Sequence, residues 1–208
     1  MSAIKLYGYP RTRSLRALWA LEEAGADYQY IHVDLHAGEA RRPPFIDLNP
    51  GGKVPLLVDD GLVLCESAAI VMYLADKFPA SRLAPAHGSI ARARFNQWSC
   101  FALAELEQPL WTIARHSFVY PENRRLPAII ETARWEFARA CQVLEQGLKQ
   151  QPYILGTAFS GADILLAHTL RWAVASQVEI VSPLLQQYLQ RITARPALAA
   201  ALKREQTA

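Results

Sequence analysis

Four short stretches carry residue types whose spacing could do chemistry. The first is Tyr9-Pro10-Arg11-Thr12-Arg13-Ser14, hydroxyls interleaved with two arginines ahead of a helical pattern. A hydroxyl at a helix start either caps the helix or donates to an anion, and the arginines add positive potential that favours the anion. The second is Glu66-Ser67, which opens another helical pattern. A helix N-terminus offers free N–H groups and partial positive charge, so it binds carboxylates. The plainer account is that Ser67 caps its own helix while Glu66 complements the dipole. The third is His32, Asp34 and His36, which would face one side of a strand as metal ligands do. The strand pattern ends near Val33 and this cluster stands alone, so no metal is expected. The fourth is Ser160-Gly161-Ala162-Asp163, a capping-box pattern with the shorter acid, flanked by Phe159 and Ile164 at the two positions of a hydrophobic staple. The cap accounts for both polar residues, so this element is read as folding and not as catalysis.

The elements that must position these residues alternate at first. Ile4-Lys5-Leu6-Tyr7 is a β-prone run ended by Gly8 and Pro10. Leu15, Leu18, Trp19 and Glu22 follow helical spacing, and Gly25 sits where a C-terminal cap belongs. Residues 28–33 suit a second strand, parallel to the first through the intervening helix. Residues 54–58 and 62–65 flank Asp59-Asp60-Gly61, a strong hairpin signal because glycine accepts positive φ. A helix over 67–78 then stops at Pro79. The order is βαβ, a loop with a short helix, then ββα, which predicts a small mixed sheet covered by helices. Pro55 is anomalous within its strand-like run, since proline cannot donate to the ladder; alone it reads as an edge-strand proline.

Residues 79–88 read as a linker between an α/β domain over 1–78 and an all-helical domain over 89–208. In the latter, 89–118 is one long helical pattern with Pro109 as a kink, followed by helices over 127–150, 160–176, 183–194 and 196–204.

Composition prunes other classes. With 208 residues, 51% hydrophobic content and a net charge of +3, the chain can bury a sizeable core and is not disordered. Cys65, Cys100 and Cys141 lie far apart with no CxxC, which fits a reducing compartment better than a disulfide framework or zinc site. Cys65 reads as a buried, inert thiol within an apolar strand. The basic residues are scattered and carry no aromatic-basic signature, so nucleic acid is not an expected partner. No long apolar run suggests a membrane span, and Met1-Ser2-Ala3-Ile4-Lys5 lacks the pattern of a leader. The expected location is cytoplasmic.

The stretches 49–55 (Asn-Pro-Gly-Gly-Lys-Val-Pro) and 66–70 (Glu-Ser-Ala-Ala-Ile), followed by a helical domain bearing the Ser160–Asp163 cap, resemble the cytosolic glutathione transferases. The resemblance runs over nearly the whole chain, in the same domain order, and points to a bacterial, serine- or threonine-type or unclassified class. It implies a thioredoxin-like βαβ-ββα domain followed by an all-helical domain, with glutathione as co-substrate and no further cofactor. It implies a cis bond before Pro55 that frees the backbone of Val54 to pair with the cysteinyl unit. Glu66 and Ser67 would take the ammonium and carboxylate of the γ-glutamyl end, and Lys53 would reach the glycyl carboxylate. The thiol-activating group is expected in the first loop, with Thr12 the first choice, Ser14 the second, and Tyr7 or Tyr9 the third. A hydroxyl aimed at sulfur favours the thiolate, which is the nucleophile. Arg13 stands where some bacterial members carry cysteine, a departure from that pattern. Phe101, Trp111, Arg115, His116 and Phe118 are expected to line the pocket for a small apolar electrophile. The resemblance also implies a homodimer and a detoxifying role. The alternatives are a module of the same fold that binds glutathione or a protein partner without turnover, and a glutathione-dependent disulfide reductase, peroxidase or isomerase.

Overall fold

Strands β1 (Ile4–Gly8), β2 (Tyr28–His32), β3 (Leu56–Asp59) and β4 (Leu62–Cys65) form one sheet in the spatial order β2-β1-β3-β4. The computed structural model describes residues 4–207; the leader reading rested partly on residues 1–3, which lie outside them. β1 and β2 are parallel, joined through helix α1 (Ser14–Ala24), while β3 runs antiparallel to both β1 and β4. Helix α3 (Ser67–Lys77) follows β4 directly, completing the expected βαβ-ββα order. Between β2 and β3 lie a 3-10 turn at Glu39–Arg41 and the single helical turn α2 (Phe45–Leu48).

The local signals explain these boundaries. Gly25, at φ 58°, ends α1 in the left-handed conformation, and its N–H returns to the Glu22 carbonyl. Asp60 and Gly61 both hold positive φ, 47° and 86°, as a two-residue hairpin turn matching the strand twist requires. Strand alternation splits the core. Tyr7 and Leu56, paired in register, pack with Val33, Ala40 and Phe45 on one face of the sheet. Leu6 and Leu57 are fully buried on the other, where α1 and α3 pack together. β4 is an edge strand and its residues lie largely open. Cys65 is therefore exposed, contrary to the expectation of a buried thiol.

The described residues form two compact units, one of residues up to Ala84 together with those from Ala194 onward, the other of residues 85–193. The expected partition placed all of 89–208 in one helical domain. The last helix, α9 (Pro196–Thr207), instead packs on α1 and β2 of the first unit. Helical spacing marks a face as apolar without naming what it meets.

In the second unit, Ser89 caps α4 (Ile90–Phe101) by accepting the Arg92 N–H at 3.1 Å. The rod continues through π-helical turns at Ala102–Glu107, helix α5 (Gln108–Ala114) and further π-helical turns at Arg115–Val119. Pro109 lies just after the first widened stretch, which takes up the donor and space that proline removes. Helices α6 (Ile129–Leu148), α7 (Gly161–Ala175) and α8 (Pro183–Thr193) complete the unit. The Trp98 side chain of α4 lies against Gly147 of α6, where an added Cβ would lie 2.2 Å from its ring.

The cap at α7 is a full capping box. The Asp163 carboxylate, with no exposed surface, accepts the N–H and hydroxyl of Ser160, the Ile154 N–H and the Tyr188 hydroxyl, all at 2.8–2.9 Å. Burial pushes this carboxyl above its ordinary range while the four donors pull against it. Its structural reading agrees with this geometry. No helix among the described residues is long and apolar enough to cross a membrane.

Candidate functional site

Register brings the predicted stretches to one end of the strands. Gly8 pairs with His32 and Tyr7 with Leu56, while Leu56 pairs with Cys65. The residues just beyond these pairs are the loop at 9–13, the turn after His32, Val54-Pro55 entering β3, and Glu66-Ser67 leaving β4. Segments 11, 32, 54 and 66 residues into the chain thus meet at one end of four strands.

The first loop is braced from within. The Thr12 hydroxyl donates to the Tyr9 carbonyl at 2.6 Å or to Ser14 Oγ at 2.8 Å, and Thr12 Oγ1 accepts the Ser14 N–H at 3.2 Å. Ser14 Oγ accepts the Tyr9 N–H at 3.3 Å and is completely buried at the first turn of α1. Thr12 is partly exposed. Of the two residues, Ser14 is a buried brace and Thr12 the one with solvent exposure. Tyr7 is turned into the cluster beneath α2, with its ring 6.0 Å from Phe45. Tyr9 lies across the loop, its ring 5.2 Å from His32 and 5.7 Å from His36.

The histidines lie close to Tyr9, but Asp34 belongs to a turn, its carboxylate accepting the N–H groups of His36 and Ala37 at 2.8 and 2.9 Å. These bonds, Ala37's foremost, hold its carboxyl below the ordinary range. Among the described residues, no group of three or more His, Cys, Asp or Glu side chains is arranged to hold a metal.

At the other stretch, the Val54–Pro55 peptide bond is cis, in line with the resemblance, as is Pro43–Pro44. Asn49 holds this approach: its side-chain amide donates to the Lys53 carbonyl at 2.7 Å, and its Oδ1 accepts the Gly51 N–H at 3.1 Å. Gly52 has φ 57°, and a Cβ there would lie 3.1 Å from the Ala40 carbonyl, so the turn needs glycine. The Lys53 side chain is exposed, Val54 half-buried and Pro55 buried. Glu66 sits at the cap position of α3 with φ 68°, and its side chain makes no capping bond. Its carboxylate is exposed and available. Ser67 is the first residue inside the helix, beyond the cap position.

Behind Ser67 stands a residue that sequence reasoning passed over. Arg16 is fully buried and donates from Nη1 to Ser67 Oγ at 3.2 Å. The signal was its position: a charged residue between Leu15 and Leu18 on the inward face of α1, where an unpaired guanidinium would be costly. Arg16 adds buried positive charge to that of the α3 N-terminus.

In the second unit, the Arg115 guanidinium lies 5.9 Å from the Trp111 ring centre and 5.8 Å from that of Tyr120. Its Nη2 donates to Thr112 Oγ1 at 3.0 Å. His116 meets Tyr120 edge-on, and its Nδ1 accepts the Leu126 N–H at 3.0 Å. Arg115 therefore has Trp111 and Tyr120 beside it, and His116 packs on Tyr120, which the sequence did not single out. Phe101 packs edge-on against Trp98, and Phe118 is 70% exposed.

A thioredoxin-like sheet presenting a helix terminus with a serine, an acid and a buried arginine, followed by a helical unit, defines a class of protein that binds an anionic peptide-like ligand. Known proteins make that class specific. Residues 2–76 match the family described as Glutathione S-transferase, N-terminal domain, and residues 127–204 match Glutathione S-transferase, C-terminal domain. Glutathione S-transferase GstA of Escherichia coli O157:H7 is 31% identical over 205 residues, covering 97% of this chain and 98% of its own. Disulfide-bond oxidoreductase YfcG of Escherichia coli K12 is 32% identical over 211 residues, covering 98% and 96%. A crystal structure of a glutathione transferase from Methylococcus capsulatus superposes with a TM-score of 0.88 at 33% identity, over 99% of this chain and 100% of that one. A sphingomonad glutathione S-transferase complexed with glutathione gives 0.85 at 36% identity, over 98% and 100%. The chain belongs to the glutathione S-transferase family, and its enzyme class is that of a glutathione transferase.

Proposed function

We propose that the chain binds glutathione across one end of the strands, holds its sulfur as thiolate beside Thr12, and transfers it to a small apolar electrophile. The observation that carries this reading is the register, which juxtaposes the 9–13 loop, Val54-Pro55 and Glu66-Ser67. Glu66 receives the γ-glutamyl ammonium. Ser67, the N-terminus of α3 and Arg16 behind it attract the neighbouring carboxylate. Val54 pairs with the cysteinyl backbone, and Lys53 meets the glycyl carboxylate. The Thr12 hydroxyl turns from the Tyr9 carbonyl to donate to the sulfur, lowering the thiol pKa. The thiolate then attacks an electrophilic carbon: the C–S bond forms as the leaving group departs with its electron pair. Trp111, Arg115 and His116, with Tyr120, are assigned to the electrophile. Glutathione is consumed as co-substrate, and no metal or further cofactor takes part. The exposed apolar residues Leu62 and Val63 on edge strand β4 support a homodimer, and the biological setting is cytoplasmic detoxification.

The test is conjugation of glutathione to an aryl halide by wild type, Ser67→Ala and Thr12→Val. Loss of a hydrogen bond to a charged ligand group costs about 1.5–3 kcal/mol, so Ser67→Ala should raise KM for glutathione by roughly ten-fold or more. Thr12→Val should lower kcat and leave KM nearly unchanged. Retention on immobilised glutathione without turnover would instead mark a binding module. A second reading has a specific observation behind it: YfcG, at 32% identity, is named a disulfide-bond oxidoreductase. The same thiolate can attack a disulfide sulfur, and turnover of a small disulfide in preference to aryl halides would decide for it.

A further inference from the structure

We propose that Glu205, on the C-terminal helix, is a positioning residue for the first loop, fixing the turn from which Thr12 acts. This rests on the reading of that loop as the thiol-activating element. Glu205 is 5% exposed, and its Oε1 accepts the Arg11 N–H at 3.3 Å across 194 residues of sequence. Arg11 has φ 60°, a left-handed conformation that a side-chain-bearing residue keeps only where its surroundings over-determine it. The residue next to it is Thr12. The inner braces of the loop, Thr12 to the Tyr9 carbonyl and Tyr9 N–H to Ser14, close the turn on itself but do not reach Arg11. Glu205 supplies the outside hold.

The floor of the loop points the same way. A Cβ on Gly8 would lie 2.6 Å from the Tyr30 hydroxyl and 2.9 Å from Ser14 Cβ, so strand, loop and Tyr30 are in close contact. Burial, and after it the charge of Glu205, raises the Tyr30 hydroxyl above its ordinary range and keeps it a neutral phenol. The helix carrying Glu205 is fastened elsewhere along its length too. Just ahead of α9, Arg195 makes two parallel bonds of 2.6 Å to Glu23 on α1, and Arg204 lies 5.6 Å from the Tyr28 ring centre. Arg195 ties down the helix, whereas Glu205 alone of these reaches the loop.

Positioning and simple electrostatics predict opposite signs. A carboxylate near the sulfur disfavours thiolate, so its removal alone would lower the thiol pKa. Loss of the Arg11 anchor misplaces Thr12 and raises it. The experiment uses the full chain as wild type, Glu205→Ala, Glu205→Gln, Arg195→Gln and Thr12→Val. It reads the ultraviolet thiolate titration of bound glutathione, kcat and KM with an aryl halide, and Tm. Glu205→Ala should move the thiol pKa up by about one pH unit and lower kcat at neutral pH about ten-fold with little change in KM. Glu205→Gln keeps an acceptor for Arg11 and should restore most of both. Arg195→Gln should lower Tm without moving the thiol pKa. The proposal is overturned if Glu205→Ala leaves the pKa in place or lowers it, if Glu205→Gln fails to rescue, or if Arg195→Gln shifts the pKa equally. Should Glu205→Ala not fold, Glu205→Met, which fills the same volume without an oxygen acceptor for Arg11, takes its place in all three comparisons. If Thr12→Val leaves the pKa unmoved, the reading of the loop has failed and this proposal falls with it. If Thr12→Val moves it and Glu205→Ala does not, only the positioning role falls.

Discussion

Replacing Tyr188 by phenylalanine tests the buried cap of α7 through a single atom. The Tyr188 hydroxyl donates to Asp163 Oδ1 at 2.8 Å, and the ring is 1% exposed, so no water takes its place. A hydrogen bond to a charged group is worth about 1.5–3 kcal/mol, and in a chain of this size each kcal/mol moves Tm by roughly 2–4 °C. Tyr188→Phe should therefore melt about 3–12 °C below wild type at neutral pH. Asp163→Ala goes further, stranding all four donors that converge on the carboxylate. With about 1 kcal/mol as the least cost of each buried donor left unsatisfied, the loss is at least roughly 4 kcal/mol, a large share of a total stability of about 5–15 kcal/mol. The pH dependence has a definite sign. Burial raises the Asp163 carboxyl above its ordinary 3.8, so its contribution to stability is full below that value and is lost as pH rises through the folded value. Tyr188 is one of the donors that pull it back down. The deficit of Tyr188→Phe should thus be small in acid and widen as pH rises. Calorimetry or urea denaturation across pH measures it. A Tm within about 1 °C of wild type at neutral pH, or a deficit that shrinks as pH rises, would refute the reasoning.

Gly147→Ala places a methyl 2.2 Å from the Trp98 ring, so that ring must shift within its packing; a loss of about 1–3 kcal/mol in urea denaturation is expected, with an unchanged midpoint counting against the packing. Burial, and secondarily Glu145, pushes the Cys141 thiol up to about 12, whereas Cys65 and Cys100 are exposed. Iodoacetamide on the native chain should add two groups by intact mass, the third appearing only after denaturation; rapid triple labelling would contradict the assigned burial.

Much of the first unit was legible because its signals are local. Gly25, Asp60-Gly61 and Pro79 punctuate elements through backbone geometry that each residue imposes on itself, and the observed boundaries follow them. Glu66-Ser67 and Val54-Pro55 stood out for the same reason, as residues at odds with their immediate setting. The Ser160–Asp163 cap was readable because both partners lie within one helical turn. Tyr188, the fourth donor to that carboxylate, was not, since 25 residues separate them.

The sequence by itself determined which segments become strands and helices, and which few residues have the chemistry for an anionic thiol ligand. Tertiary structure decided what each polar group answers to. It buried Ser14 as a brace, turned Tyr7 into the core and opened Cys65 on an edge strand. It set Arg16 behind Ser67 and returned the last helix to the first unit so that Glu205 reaches Arg11. Propensity and periodicity act over one or two turns of chain. The partner of a buried charge is chosen by which surfaces can exclude water together, and that choice exists only once the whole chain has folded.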